Sequence, residues 1–282
     1  MTTKRRATRR HFDLAARLAA IFIESRAKRL VRAGAPQMAV FAHDHIGKII
    51  LLHGAFEYEE LEALSDWLGD RFREKTMLDV GANIGNHSVY LAPQFKQVRA
   101  YEPNPRTFEL LTVNAKLRDN ISCFNYGLSS SARRAQMKCR WANIGGASVI
   151  AGDAQTGPGE SVFEIELRTL DSSVDANEQI GLIKIDVEDH EYDAIMGARD
   201  TIARCRPVIV FEQHYKHFKN GTSDVIELIK SLGYSEFAVV EKTPRFDLVL
   251  SFLCQVIFGY RLALRPVKTF GRRNYKMVVA IS

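Results

Sequence analysis

Cysteine is scarce in this chain and scattered: Cys123, Cys139, Cys205 and Cys254 are the four in 282 residues, and no two form a C-x-x-C pair. That spacing argues against a zinc knuckle or a thioredoxin-like redox motif and fits a reduced, cytoplasmic setting. No stretch of about 18 uncharged apolar residues is present, so no membrane-spanning helix is expected. An export leader is not expected either. Thr8-Arg9-Arg10-His11-Phe12-Asp13-Leu14 carries paired arginines, but the apolar run behind it is broken by Arg17, ends at Glu24 and lacks a small-x-small cleavage site. Internal repeats and low-complexity tracts are also missing.

What remains is an ordinary globular composition, 46% hydrophobic and 26% charged. The net charge of +6 is unevenly spread. Residues 1–34 sum to +8 and residues 241–282 to +6, which leaves the middle at −8. An acidic body speaks against a nucleic-acid enzyme with a cationic catalytic face. The basic ends suit an anionic lipid surface, nucleic acid or another chain, and solvated tails account for them equally well.

Residues 10–33 read as a basic amphipathic helix, with Leu14, Leu18, Ile21 and Phe22 at helical spacing and Gly34 and Pro36 as the stop. Segments 38–42 and 48–52 read as two short strands about an Asp44-His45-Ile46-Gly47 turn, and 56–68 as a helix with an acidic first turn. From residue 76 strands and helices alternate: strand 77–80, helix 86–91, strand 97–102, helix 106–117, strand 122–126. Three antiparallel strands follow at 136–141, 147–150 and 162–167, with a Gly/Pro-rich loop at 151–160. The alternation resumes with strand 181–186, helix 189–198, strand 207–212, helix 224–232 and a strand near 236–240. An apolar stretch, 245–264, reads as helical, and 275–281 as a last strand. The expected class is α/β, with a doubly wound parallel sheet. The divisions are a basic helix (1–34), an accessory segment (35–75), the sheet domain (76–240) and a C-terminal helix plus strand (241–282).

Glycines at a strand-to-helix turn let backbone approach a ligand, and the following helix N-terminus favours its anionic groups. A dinucleotide site needs G-x-G-x-x-G. Asp79-Val80-Gly81-Ala82-Asn83-Ile84-Gly85 fails that spacing, which counts against a nicotinamide dehydrogenase. It matches the D-x-G-x-G-x-G loop of class I methyltransferases, with Asn83 at the middle glycine, and Asn tolerates left-handed backbone. Ala100-Tyr101-Glu102-Pro103-Asn104-Pro105 ends the next strand with a carboxylate suited to ribose hydroxyls, although a surface acid before a helix looks the same. The expected cofactor is S-adenosylmethionine, held by Asp79, Gly81, Ala82, Asn83, Gly85, Glu102 and Asn104. Gly127 and Leu128, within Tyr126-Gly127-Leu128-Ser129, are placed to cover the adenine.

Together with Thr169-Leu170-Asp171 and Ile183-Lys184-Ile185-Asp186-Val187-Glu188-Asp189-His190-Glu191, these elements resemble the FkbM family of methyltransferases over about residues 76–240. Asp189 stands where the family pattern has glycine. The resemblance implies a Rossmann-like class I sheet and methyl transfer to oxygen on sugars, polyketides or related metabolites.

Such a displacement needs alignment and, for a hydroxyl, a base. Asp186 is the first candidate and His214 the second, with Glu212 and Glu188 beside them at the carboxyl ends of the strands. Glu188 and Glu191 also suit a helix dipole, and His190 reads as a solvated helix residue. Lys184, inside an apolar strand, is expected to neutralise Asp79 or Glu212. No metal site is expected. The glycine-rich 141–148 segment either caps the substrate or is an ordinary turn. The acceptor is expected to be a hydroxyl on a saccharide, glycolipid or secondary metabolite. A non-catalytic cofactor-binding module and a nucleic-acid ribose methyltransferase are the alternatives, nucleic acid being disfavoured. Peripheral contact with the inner membrane face through the basic ends, and a homodimer, are further expectations. The C-terminal helix either meets the membrane or packs on the protein.

Overall fold

The computed structural model describes residues 10–140, 143–150, 157–244 and 260–282. Its centre is an eight-stranded sheet in the order β3-β2-β1-β8-β9-β12-β10-β11. The parallel part comprises β1 (Thr76–Val80), β2 (Gln97–Tyr101), β3 (Ile121–Phe124), β8 (Ile180–Ile185) and β9 (Val208–Gln213). The strand β12 (Tyr275–Ile281) runs antiparallel between β9 and β10 (Glu236–Pro244). The parallel strands form the expected doubly wound, Rossmann-like sheet; β12 is reversed between β9 and β10, and β11 (Tyr260–Pro266) is reversed at the far edge.

Strands covered on both faces must be apolar throughout, and β1 and β8 are buried at every position. One set of alternate residues, including Met77, Leu182, Val208, Val210 and Val279, packs under Leu61, Leu64 and Leu68 of α3 (Tyr58–Leu68). The other set, including Leu78, Val80, Ile183, Ile209 and Val278, meets Ile195 of α6 (Glu191–Met196), Ile202 of α7 (Arg199–Cys205) and Ile226 and Ile229 of α8 (Asp224–Ser231). At about 25 cal/mol per Å² of apolar surface removed from water, these two faces are the main source of stability.

A second sheet, β4-β7-β5-β6, is formed by Gly127–Leu128, Glu160–Arg168, Arg133–Arg140 and Asn143–Ile150. It contains the three expected antiparallel strands; residues 141–142 and 151–156 of that region lie outside the described residues.

Three expectations are corrected. The two short strands about residue 44 are instead a helix, α2 (His45–His53), preceded by non-helical residues 36–42. Asp44 is its N-cap, accepting from the Ile46 amide at 3.1 Å, and Gly54 closes it. The helix expected over 189–198 ends at Met196, and a separate α7 follows it. Of the C-terminal apolar stretch, residues 245–259 lie outside the described residues, and the remainder belongs to β11 (Tyr260–Pro266), antiparallel to β10.

The first helix, α1 (Arg10–Arg32), is held near its C-terminal end, where Arg26 Nε donates to Leu52 O at 2.7 Å. Its apolar stripe is left uncovered: Leu14, Leu18, Ile21 and Phe22 are 62%, 59%, 63% and 59% exposed. No helix among the described residues is long and apolar enough to cross a membrane.

Candidate functional site

Parallel strands end on one edge, and loops leaving them in opposite directions open a crevice there. In this chain that crevice is a cavity of about 290 Å³. From the β2 side it is lined by Tyr101, Glu102, Pro103 and Thr107, from the β1 side by Val80, Gly81 and Asn83, and from β8 by Asp186, Val187, Glu188 and His190. From β9 come Glu212 and His214. Because β12 is reversed, its first residues reach the same edge, and Lys276 joins the wall. Gly127, Leu128, Met137, Gly146, Ala147, Val149 and Leu167 of the second sheet roof the cavity, and His45, Ile46, Phe56 and Glu57 close it from the N-terminal segment.

The glycine loop follows from close contact. Gly81 has φ 78° and lies so near β8 that a Cβ there would overlap the Asp186 carbonyl oxygen. Asn83 holds the expected left-handed conformation at φ 52°. Its amide donates to Glu102 Oε2 at 2.9 Å, and the Asn104 amide donates to Oε1 at 2.8 Å. Burial raises the Glu102 pKa, and these two amides with Thr107 oppose the rise. Each oxygen keeps lone-pair capacity toward the cavity.

Asp79, Ala82, Gly85 and Asn104 do not line the cavity. Asp79 stands behind the loop, accepting from Ser88 Oγ at 2.6 Å and paired with Lys184 Nζ at 3.2 Å. The two residues are direct cross-strand neighbours, so Lys184 neutralises Asp79, not Glu212. Lys184 Nζ also lies 3.5 Å from Asp186 Oδ2 and donates to Gly81 O at 3.1 Å. Burial works against this ammonium, yet Asp79 and Asp186 hold its pKa above the ordinary value.

All four residues expected to do chemistry reach the cavity: Asp186, Glu188, Glu212 and His214. Burial, then the charges of Asp186, Glu188 and Glu57, pushes the Glu212 pKa up to about 8. Burial followed by Asp186 raises Glu188 as well. His214 Nε2 lies 3.8 Å from Glu212 Oε2. His190 is not a solvated helix residue: it is half-buried on the cavity wall, with Nε2 3.0 Å from Ser129 Oγ, and burial lowers its pKa. Glu188 and Asp189 both take left-handed backbone, at φ 47° and 72°. The turn thus survives without glycine, and the Asp189 carboxylate binds Lys216 Nζ at 2.6 Å and His217 Nε2 at 3.2 Å.

Among the wall residues that sequence reasoning missed are Glu57, His45, Ile46, Phe56 and Lys276. Glu57 has φ 54° at the start of α3, an unusual conformation for a long side chain. Its carboxylate is mostly buried, with Oε2 3.5 Å from His87 Nε2 and Oε1 3.9 Å from Lys276 Nζ. Among the described residues no group of three or more His, Cys, Asp or Glu side chains is arranged to hold a metal ion.

A family model described as the methyltransferase FkbM domain matches residues 79–236, more than half of the chain. The hexuronic acid methyltransferase AglP of Haloferax volcanii is 29% identical over 140 residues, 49% of this chain and 55% of that protein. Methyltransferase sdnD of Sordaria araneosa is 29% identical over 117 residues, 40% of this chain and 43% of its own. The chain spans about half the length of these curated relatives. Among solved structures, methyltransferase FkbM from Methylobacillus flagellatus aligns with 89% of this chain and 59% of its own, at 16% identity and a TM-score of 0.43.

Proposed function

The chain belongs to the FkbM methyltransferase family, and from that premise we propose that it methylates a hydroxyl group using S-adenosylmethionine, on a saccharide, glycolipid or secondary metabolite. The observation that carries this reading is the convergence of the ends of β1, β2, β8 and β9 on one cavity. The residues present suit the cofactor. Glu102 offers a buried carboxylate with free lone pairs for the ribose hydroxyls, and Gly81 and Asn83 offer bare backbone. Leu128, Tyr101 and Leu167 offer an apolar slot for the adenine. When bound, S-adenosylmethionine supplies a sulfonium-activated methyl group.

The chain's own work is then positioning and proton removal. Asp186, paired with the Lys184 ammonium, faces the cavity as the acceptor of the hydroxyl proton. Glu212, protonated at neutral pH, donates a hydrogen bond to the acceptor instead of competing for its proton. His214 takes the proton onward toward solvent. The printed name of the archaeal relative concerns a hexuronic acid, and it supports a sugar as acceptor. The uncovered apolar stripe of α1 and the +8 charge of residues 1–34 support docking of that helix on an anionic membrane face from the cytoplasm.

Calorimetric titration tests the core of this reading. S-adenosylmethionine is expected to bind the wild-type chain at micromolar concentration, NAD not at all, and Gly81→Ala to abolish the heat. Asp186→Asn is expected to bind cofactor yet lose at least 100-fold in turnover. Heat from NAD alone, or undiminished turnover in Asp186→Asn, refutes it.

A further inference from the structure

Part of the cavity wall comes from outside the span that the family model matches. Residues 79–236 supply the cofactor end together with Asp186, Glu188, Glu212 and His214, whereas His45, Ile46, Phe56, Glu57 and Lys276 lie before or after that span. This added wall is clamped to the domain. Asn86, at the start of α4 (Asn86–Leu91), accepts from the Phe56 amide and donates to the Phe56 carbonyl, both at 2.9 Å. Asn114 does the same for Ala39, at 2.7 and 3.0 Å, and donates to Ile84 O inside the glycine loop at 2.8 Å. Both asparagines are buried, so the hydrogen bonds exchange little with water. The strained residue Glu57 follows the clamped Phe56 directly, and its carboxylate is thereby fixed in the cavity wall.

The sheet order sets out which end is which. Glu102 follows β2 and Gly81 follows β1, so the cofactor end lies over those strands; Asp186, Glu212 and Lys276 follow in the order β8, β9, β12. Glu57 joins this second end, as its ion-pair distance to Lys276 requires. Four carboxyl groups therefore surround the acceptor half: Glu57, Asp186, Glu188 and Glu212. Lys276 is the ammonium facing them, and it is shared with Glu60 at 2.9 Å. Lys184 is shared between Asp79 and Asp186, at 3.2 and 3.5 Å from its Nζ, so it offsets one of those two charges and leaves the other. Even with Glu212 protonated and a sulfonium present, the acceptor half keeps surplus negative charge.

We propose that this clamped wall is the acceptor subsite and that Glu57 makes it select a neutral or amino-bearing sugar over a uronate. The proposal rests on the methyltransferase reading above. A carboxylate brought into the cavity meets fixed like charges at low dielectric, whereas hydroxyl and ammonium groups find acceptors in Glu57 and Glu188. Specificity here comes from repulsion of the acidic sugar as much as from attraction of the others.

The test is binding to the full chain saturated with S-adenosylhomocysteine, using methyl glucoside, methyl glucosaminide and methyl glucuronide as probes and ligand-observed NMR as readout. The wild-type chain is expected to bind the neutral or amino glycoside at least about tenfold tighter than the glucuronide, the discrimination that 1.4 kcal/mol supplies. Glu57→Gln is expected to shrink that gap to about threefold or less. Glu57→Asn, which tolerates the left-handed conformation, serves as a second variant. Equal binding of the three probes, preference for the glucuronide, binding of none, or an unaltered gap in both variants overturns the proposal. If S-adenosylhomocysteine itself fails to bind, the underlying reading falls and takes this one with it; normal cofactor binding with the wrong glycoside order removes this one alone.

Discussion

Lys184→Met tests the central electrostatic claim, that the glycine loop is held from behind by a buried ion pair. Asp79 is 0% exposed and the Lys184 side chain 7%, with 3.2 Å between Nζ and Oδ1. At an effective dielectric of about 20, unit charges at that distance attract by roughly 5 kcal/mol. Desolvation offsets much of this in the intact pair, but removing one partner leaves the other charge buried and unpaired, which costs about 3–5 kcal/mol. After the substitution Asp79 keeps, among the described residues, the Ser88 hydroxyl as its side-chain donor. Methionine conserves volume, so a cavity contributes little. At about 2–4 °C per kcal/mol, the melting temperature is expected to fall by roughly 6–20 °C. Thermal unfolding followed by circular dichroism measures it. The double variant Asp79→Asn/Lys184→Met is expected to recover more than half of the loss, because it removes the orphaned charge. A single variant within about 1 kcal/mol of wild type, or a double variant no better than the single one, refutes the reasoning.

Two further outcomes follow from the same geometry. Glu212 has its pKa raised to about 8 by burial and by its acidic neighbours, so its folded form holds a proton that the unfolded chain releases near the ordinary carboxyl value. Its contribution to stability is present in acid and is lost progressively as pH rises from the ordinary carboxyl range through about 8; relative to Glu212→Gln, wild type is expected to lose about 4 kcal/mol between about pH 5 and 8.5 in urea titrations, and parallel curves for the two proteins count against it. For α1, flotation with vesicles containing anionic phosphatidylglycerol is expected to carry the chain upward, less so after Leu18→Glu/Phe22→Glu, and a wild-type chain that stays at the bottom, or one that forms a dimer through this stripe, removes the membrane assignment.

The features legible in the sequence are those whose partners are close along the chain or whose pattern is periodic. Strands buried on both faces announce themselves as apolar runs, and the glycine loop is legible because Gly81 and Asn83 answer to local backbone geometry. Where an apolar run is short, the same residues fit a strand or a buried helix; Ile49-Ile50-Leu51-Leu52 reads as a strand in sequence, whereas Asp44 as cap, with Gly54 as stop, makes it part of α2. The start of α7 was hidden differently. Asp200 and Thr201 donate their amides to Asp171 at 3.1 and 2.8 Å, so the helix is capped by a carboxylate some thirty residues earlier. The Glu57 wall is hidden most completely, since Phe56 reaches the cavity through Asn86 and Lys276 through the reversal of β12. Asp189 joins the two kinds of evidence: its departure from glycine was visible, but only the packed turn supplies the reason an aspartate holds φ 72°, namely that its carboxylate ties the β8 turn to Lys216 and His217 beyond β9. The cofactor half of this site is written in contiguous residues and so was readable; the acceptor half is assembled from distant ones, which is why the substrate question passes from the motif to the wall that Glu57 completes.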